Sequence, residues 1–299
     1  MRLRDAVVMT ALAAVTSAGA QLTPDAAIDC AACAEWNEPQ EPFRVFGNTY
    51  YVGTARLAAI LIAADDGLIL LDGALPQSAP LIDVNIRTLG FDTADVELIL
   101  SSHAHFDHVG GIAALQRASS ATVAASASSA AALRTGWPTR DDPQAAFENN
   151  SFPIVPEVRV IGDRETLTVG GVQITAHFTP GHTPGGTSWT WRSCEGERCL
   201  DLVYADSVNA VSADGFRFTG DGTAASIVDV FRRSLRTLEE LPCDILLSPH
   251  PGFFDMENKL RRRGEGLADA FVDATACRRY AADAAARLER RIAEETAAR

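Results

Sequence analysis

The sequence predicts an α/β chain in which two β-sheets pack together, helices lie outside, and loops from both halves meet at one shared edge. Two observations predict it. A meander of short β-rich runs followed by helical segments occurs twice along the 299 residues, with no repeat at the level of sequence. In each half, moreover, histidines stand on loops that directly follow strand-like runs. The length allows one large α/β domain or two small ones, with ample apolar surface to bury. The chain reads as a single domain over residues 21–299.

Taken in order, Thr23 to Pro42 is irregular and rich in Pro, Ala and acids. β-rich runs follow at Phe43–Phe46, Thr49–Val52, Leu57–Ala63 and Leu68–Leu71, with Gly47-Asn48 and Asp65-Asp66-Gly67 as turn signals between them. Ser78 is placed to cap a helix with Pro80 in its first turn, and Leu81, Ile82, Ile86 and Leu89 form its apolar face before Gly90. Val96–Leu100 is a continuous apolar strand. Gly110-Gly111 opens a short helix to about Arg117, then come a strand at Thr122–Ala125 and an alanine-rich helix from Ser126. Thr135–Phe152 is a loop by composition, and loops of this length are usually functional or mobile.

The second half has strands at Val158–Ile161, Leu167–Val169, Val172–Phe178, Thr187–Trp191 and Leu200–Tyr204. A helix over Ser226 to Leu241 buries Ile227, Phe231, Leu235 and Leu238. The strand Asp244–Leu247 delivers Ser248-Pro249-His250, and a long helix from Glu265 to Thr296 carries Arg and Glu on a solvated face.

A net charge of −13 excludes nucleic-acid partners, which need a basic footprint. Lys259 is the one lysine, so an anion must be gripped by arginine, hydroxyl, amide or metal. No membrane span is visible beyond the first twenty residues. Those twenty read as a secretory leader: Arg2 and Arg4, an apolar stretch Ala6 to Ala14, then Ser17-Ala18-Gly19-Ala20 as cleavage site. Export to the periplasm or beyond, with cleavage near Ala20, is the expectation. The six cysteines then belong to an oxidising compartment and allow fifteen pairings. Cys194 and Cys199 flank a hairpin-like turn, and Cys243 and Cys277 could tie the segment before His250 to the last helix. Cys30 and Cys33 form a CxxC outside any βαβ context, which reads as a structural bond or a loosely ordered pair.

Five of the six histidines fall into one pattern: His103-Ala-His105-Phe-Asp107-His108, then His182, then His250. His103 and His105 are two apart just beyond a strand, so both rings point to one side. Asp107 and His108 continue around the turn. His182 and His250 sit in Thr179-Pro-Gly-His182-Thr-Pro-Gly-Gly186 and Ser248-Pro-His250-Pro-Gly252, tight loops after strands. Imidazole and carboxylate are good zinc ligands, and a catalytic zinc keeps three protein ligands and an open position. Six ligands therefore suit two open-sided zinc ions, which reads as a hydrolase. A structural zinc closed by four ligands fits less well. His177 lies mid-strand without a loop bracket and is read as structural, not as a ligand.

This constellation resembles the metallo-β-lactamase superfamily. Asn48-Thr-Tyr-Tyr-Val-Gly53, Leu70-Leu-Asp72-Gly73, Thr175-Ala-His-Phe-Thr-Pro-Gly-His-Thr-Pro184, Tyr204-Ala-Asp-Ser207 and Asp244-Ile-Leu-Leu-Ser-Pro-His-Pro251 are similar to the zinc β-lactamases of subclass B3. The resemblance runs from about Trp36 to the last helix. It implies a four-layer αβ/βα sandwich with the active site along one edge of the sheets. Carried over by position, it implies a first zinc on His103, His105 and His182, and a second on Asp107, His108 and His250. No cysteine stands at Ala205–Asn209, which disfavours the cysteine-ligand subclass. The Cys243 to Cys277 spacing resembles a disulfide common in subclass B3.

The resemblance implies an enzyme opening the β-lactam ring of penicillins, cephalosporins and carbapenems; the mature chain is expected to be a monomer with no nucleic-acid or membrane partner. A zinc-bound hydroxide, available at neutral pH because metal lowers the pKa of water to ~7, attacks the carbonyl. Asp107 orients it. Ser207 and Asn209 lie where relatives hold the substrate carboxylate, although Asn209 departs from the usual Ser or Thr. Arg217 is a candidate helper and equally a surface residue. Gln144 resembles a position that donates to the oxyanion in some members. A lactonase or thioester hydrolase of the same fold is the rival, because such enzymes use a metal-bridging aspartate near the position of Asp206.

Overall fold

The computed structural model describes residues 22–297, so the leader and its cleavage site lie outside the described residues. A short helix α1 (Cys33–Trp36) precedes a seven-stranded sheet in the order β1 (Phe43–Phe46), β2 (Thr49–Tyr51), β3 (Ile60–Ala63), β4 (Leu68–Leu71), β5 (Val96–Leu100), β6 (Thr122–Ala125) and β7 (Val158–Val160). β1 to β4 pair antiparallel through short turns. From β4 to β7 the pairing is parallel. Parallel neighbours need a crossover, and helices supply it: α2 (Ala79–Thr88) after β4, α3 (Phe106–Val109) and α4 (Ile112–Ser119) after β5, α5 (Ala127–Thr135) after β6.

The second sheet has five strands: β8 (Thr166–Val169), β9 (Val172–Phe178), β10 (Thr187–Glu195) and β11 (Arg198–Tyr204) run antiparallel in sequence. Helix α6 (Val228–Glu240) then crosses over to β12 (Ile245–Leu247), parallel to β11. Alternation along the first sheet divides two cores. Ile60, Ile62, Ile69, Leu71 and Leu100 face the second sheet and pack with Trp189, Tyr204 and Ile245. Leu61, Leu70 and Ile99 face outward onto Ile82, Leu115 and Leu133 of α2, α4 and α5. Phe231, Leu235 and Leu238 of α6 join the core of the second sheet. The result is the expected αβ/βα sandwich.

Two local expectations differ. Ser78 does not cap α2: its hydroxyl donates to Asn37 Oδ1 at 2.6 Å, and a 3₁₀ turn, Pro76–Ser78, leads into the helix. The helix expected over Glu265 to Thr296 begins only at Ala276, as α8 (Ala276–Ala297), and a separate helix, α7 (Met256–Gly264), ends just before the expected start. Gly264 ends α7, Gly266 takes a φ of +100° that continues no helix, and Asp273 Oδ1 accepts from the Thr275 N–H at 2.9 Å to start α8 afresh. The three cysteine pairs are Cys30–Cys33, Cys194–Cys199 across the β10–β11 register, and Cys243–Cys277 between the approach to β12 and α8. No helix among the described residues is long and apolar enough to cross a membrane.

Candidate metal centre

β5 ends at Leu100, and the chain leaves the sheet through Ser101 and Ser102. Asp72, just past β4, fixes that exit by accepting from the Ser102 N–H and hydroxyl, both at 2.7 Å, and from the Tyr204 hydroxyl at 2.8 Å. His103 and His105 follow, with ring centroids 4.8 Å apart. α3 then wraps Asp107 and His108 back toward the same edge. This turn of helix inside the motif was read from sequence as a plain turn. From the second sheet, the β9–β10 connection brings His182 to within 4.9 Å of His103 and 5.0 Å of His105, centroid to centroid. Its shape depends on Gly181: φ is +147°, and a Cβ there would lie 2.5 Å from the Phe231 ring. His250 follows β12 and lies 4.7 Å from His108.

Two sets of three donors result, His103, His105 and His182 in one and Asp107, His108 and His250 in the other, with candidate ligand atoms in each set within 4.8 Å of one another. Four of these rings have one nitrogen already engaged. His103 Nδ1 is 2.8 Å from Asp206 Oδ1, His105 Nε2 is 3.2 Å from both Asp142 oxygens, and His182 Nδ1 is 2.8 Å from the Asn209 carbonyl. His250 has a backbone partner at Arg56. A ring that donates one N–H to an anion or carbonyl leaves its other nitrogen with a lone pair, the tautomer a metal needs. His103 Nε2 is buried with no hydrogen-bond partner among the described residues. A buried lone pair without a donor is costly in a finished protein, and a cation removes that cost. Nitrogen and carboxylate donors in threes fit zinc.

The electrostatics agree. Burial, then the neighbouring rings, hold His103 far below its ordinary range; the same causes push His182 down to about 3. Burial and the charge of His108 push His250 down to about 4. These three are neutral ligands at neutral pH. Burial alone would raise Asp107, yet His108, with its hydrogen bond, and His250 hold it below the usual carboxylate range. Burial would lower His108, but Asp107 and Asp72 outweigh it and raise that ring. Asp107 Oδ2 and His108 Nε2 lie 3.1 Å apart, and a dication would take the place of a proton held between them.

Residues 57–250, a span that ends on the last of these ligands, match the family model of the metallo-β-lactamase superfamily. The chain belongs to that superfamily. Among solved structures, Rm3 metallo-β-lactamase is 50% identical, with 90% of this chain and 99% of that one covered and a TM-score of 0.87. MEM-A1, a subclass B3 metallo-β-lactamase from a soil metagenome library, is 47% identical over 88% and 100% of the two chains, with a TM-score of 0.85. A curated relative, the N-acyl homoserine lactonase AttM of Agrobacterium fabrum, is 29% identical over 172 residues, 52% of this chain and 58% of the lactonase. The match thus spans less than two thirds of that lactonase.

In this metallo-β-lactamase the two donor sets open onto a cavity of about 420 Å³. Trp36, Phe106, Phe147, Val211 and Phe253 form its apolar walls, and Gln144, Ser207 and Asn209 its polar points. Gln144 Nε2 stands 3.5 Å from His182 Nε2. The Ser207 hydroxyl is buried and has no partner among the described residues. Arg217 is not among the cavity's lining residues: its guanidinium donates to the Glu295 carbonyl, so a role in holding substrate is corrected to a structural one. Asp206 Oδ1 is engaged by His103 Nδ1 at 2.8 Å, on the side of that ring away from its unpartnered Nε2. His177 donates to or accepts from Thr190 Oγ1 at 2.9 Å and stays out of both sets. Sequence reasoning missed Asp142 and Trp36. The doubled acid in Asp141-Asp142-Pro143-Gln144 was a signal for the first; nothing in the irregular N-terminal segment marked the second.

Proposed function

We propose that this chain is a di-zinc β-lactam hydrolase, with His103, His105 and His182 holding one ion and Asp107, His108 and His250 the other. The observation that carries the reading is the pair of three-donor sets at the mouth of one cavity, in a chain whose neighbours at 47–50% identity are metallo-β-lactamases. Zinc, when bound there, would supply Lewis acidity, lowering the pKa of a water to ~7 and polarising the lactam carbonyl. The protein's own part is orientation. Asp107, ionised at neutral pH, accepts a hydrogen bond from the attacking water and aims it. Gln144 donates to the oxygen on which charge develops, and Ser207 and Asn209 face the substrate carboxylate. The apolar walls exclude bulk water around the ring that opens. Residues 21–299 act as one domain, monomeric, in an oxidising compartment after loss of the leader; the three disulfides support that location.

The test is hydrolysis of a penicillin, a cephalosporin and a carbapenem by the mature protein, with and without chelator. Ring opening that chelator abolishes and serine-directed inhibitors leave intact is expected. The lactonase kinship gives the second reading: turnover of an acyl lactone with no lactam cleavage would overturn the first.

A further inference from the structure

The segment that follows β11 carries Ser207 into the cavity, yet it belongs to no strand or helix. Its own hydrogen bonds are i to i+2 turns: Val208 N–H to Asp206 O and Asn209 N–H to Ser207 O, both at 2.8 Å. Such turns set no direction for a side chain by themselves. The segment is instead held from outside. Asp206 N–H donates to Ser188 Oγ at 2.9 Å, and the Asn209 carbonyl accepts from His182. Between those anchors stands Tyr280, from the first turns of α8. Its hydroxyl donates to the Asp206 carbonyl at 2.7 Å and accepts from the Val208 N–H at 3.4 Å. One phenol therefore clasps the peptide groups on both sides of Ser207. The same hydroxyl is 3.4 Å from Ser248 Oγ, two residues before His250. The Tyr280 ring is buried, and the Cys243–Cys277 bond secures the helix one turn away.

We propose that Tyr280 is a positioning residue: it fixes the backbone around Ser207 so that the buried, unpartnered Ser207 hydroxyl points at the carboxylate of the substrate. Tyr280 itself lines no part of the cavity and touches no ligand residue's donor atoms. Its effect is transmitted through two peptide groups. This inference rests on the reading of the cavity as a β-lactam site.

The test is a double-mutant cycle on the zinc-loaded protein with Tyr280→Phe, Ser207→Ala and both together, using a penicillin and its methyl ester. Tyr280→Phe keeps the ring and removes the hydroxyl, and with it the clasp and the contact to Ser248 Oγ. It should raise KM for the penicillin about five-fold, the weight of one hydrogen bond, with kcat and zinc content nearly unchanged. The double variant should be no worse than Ser207→Ala alone, because the two residues act in series. On the ester, which keeps an acceptor oxygen but lacks the charge Ser207 faces, the loss should be smaller in every variant. Additive losses, an equal loss on the ester, or an unchanged KM in Tyr280→Phe would overturn the proposal. Amide exchange gives a readout independent of activity: Tyr280→Phe should speed exchange at Val208 while leaving α6 protected, and an unchanged rate there overturns the clasp. A wild-type protein inert toward penicillin would overturn the functional reading, while the exchange result still decides the clasp.

Discussion

Asp142 shows what one carboxylate contributes to a metal site it does not join. Both oxygens face His105 Nε2, and Oδ1 also accepts from the Gln144 N–H at 2.7 Å. It therefore fixes the ring that would bind the first ion and, through Oδ1, the backbone of Gln144, the residue proposed to face the oxyanion. Outer partners of this kind typically change metal affinity ten- to a hundred-fold, by order of magnitude. Asp142→Ala should weaken the first ion by about that factor in a chelator competition and leave the second nearly as tight. Equal weakening of both ions would count against the role. The six ligands were legible in sequence because four are clustered between His103 and His108 and two are bracketed by Gly and Pro. Asp142 was not, since it meets His105 across 37 residues, a contact that follows from the path of the 136–157 loop and not from any spacing. Ser207 and Asn209 came through the resemblance, and what Asn209 supplies to His182 is its carbonyl, which any residue type carries.

α8 is the element whose role the periodic charge pattern concealed. Arg and Glu at helical spacing read as a solvated face, yet part of that face is turned inward. Glu295 accepts from the Phe218 and Thr219 N–H groups at 3.0 and 2.9 Å and from the Thr219 hydroxyl at 2.8 Å. Arg291 donates to Glu295, to Ser212 Oγ and to the Phe216 carbonyl. Four residues apart, they staple the 212–219 segment, next to the cavity wall at Val211, onto the last turns of the helix. Burial alone would raise the Glu295 carboxyl, but the Thr219 and Phe218 amides, the Thr219 hydroxyl and Arg291 outweigh it and hold it below the usual glutamate range. A carboxyl depressed in the folded state contributes stability that is full above the unfolded pKa and is lost as pH falls through the folded one. Glu295→Gln should cost about 2 kcal/mol in urea unfolding at neutral pH. The gap to wild type should close as the pH falls from the ordinary glutamate range through the lower folded-state value; a gap independent of pH would mean the charge contributes nothing.

Across the whole molecule, the donors are shared between the sheets in a regular way. Each set takes two residues from the exit of β5 and one from the second sheet, His182 from the β9–β10 connection or His250 after β12. A bound ion would therefore tie the two sheets together at their shared edge, where Asp72, Asp142 and Asp206 already stand as buried carboxylates behind the rings. Burial raises Asp72 and Asp206, a sign that the edge is electrostatically costly without added positive charge. Ligand binding to the folded state alone stabilises by about 4 kcal/mol at a thousand-fold excess over Kd. In a chain of this size that is on the order of 10 °C per ion. The quantity to compare is the rise in Tm between chelator and saturating zinc, because it cancels whatever packing a substitution removes. In His182→Ala and in His250→Ala that rise should fall to about half of the wild-type value, with bound zinc falling from two toward one per chain. A full rise in either variant would mean that the ion does not bridge the sheets through that histidine. The two variants should differ in which ion is lost: cobalt substitution should leave an all-histidine spectrum in His250→Ala and a carboxylate-containing one in His182→Ala, since only the second set contains Asp107.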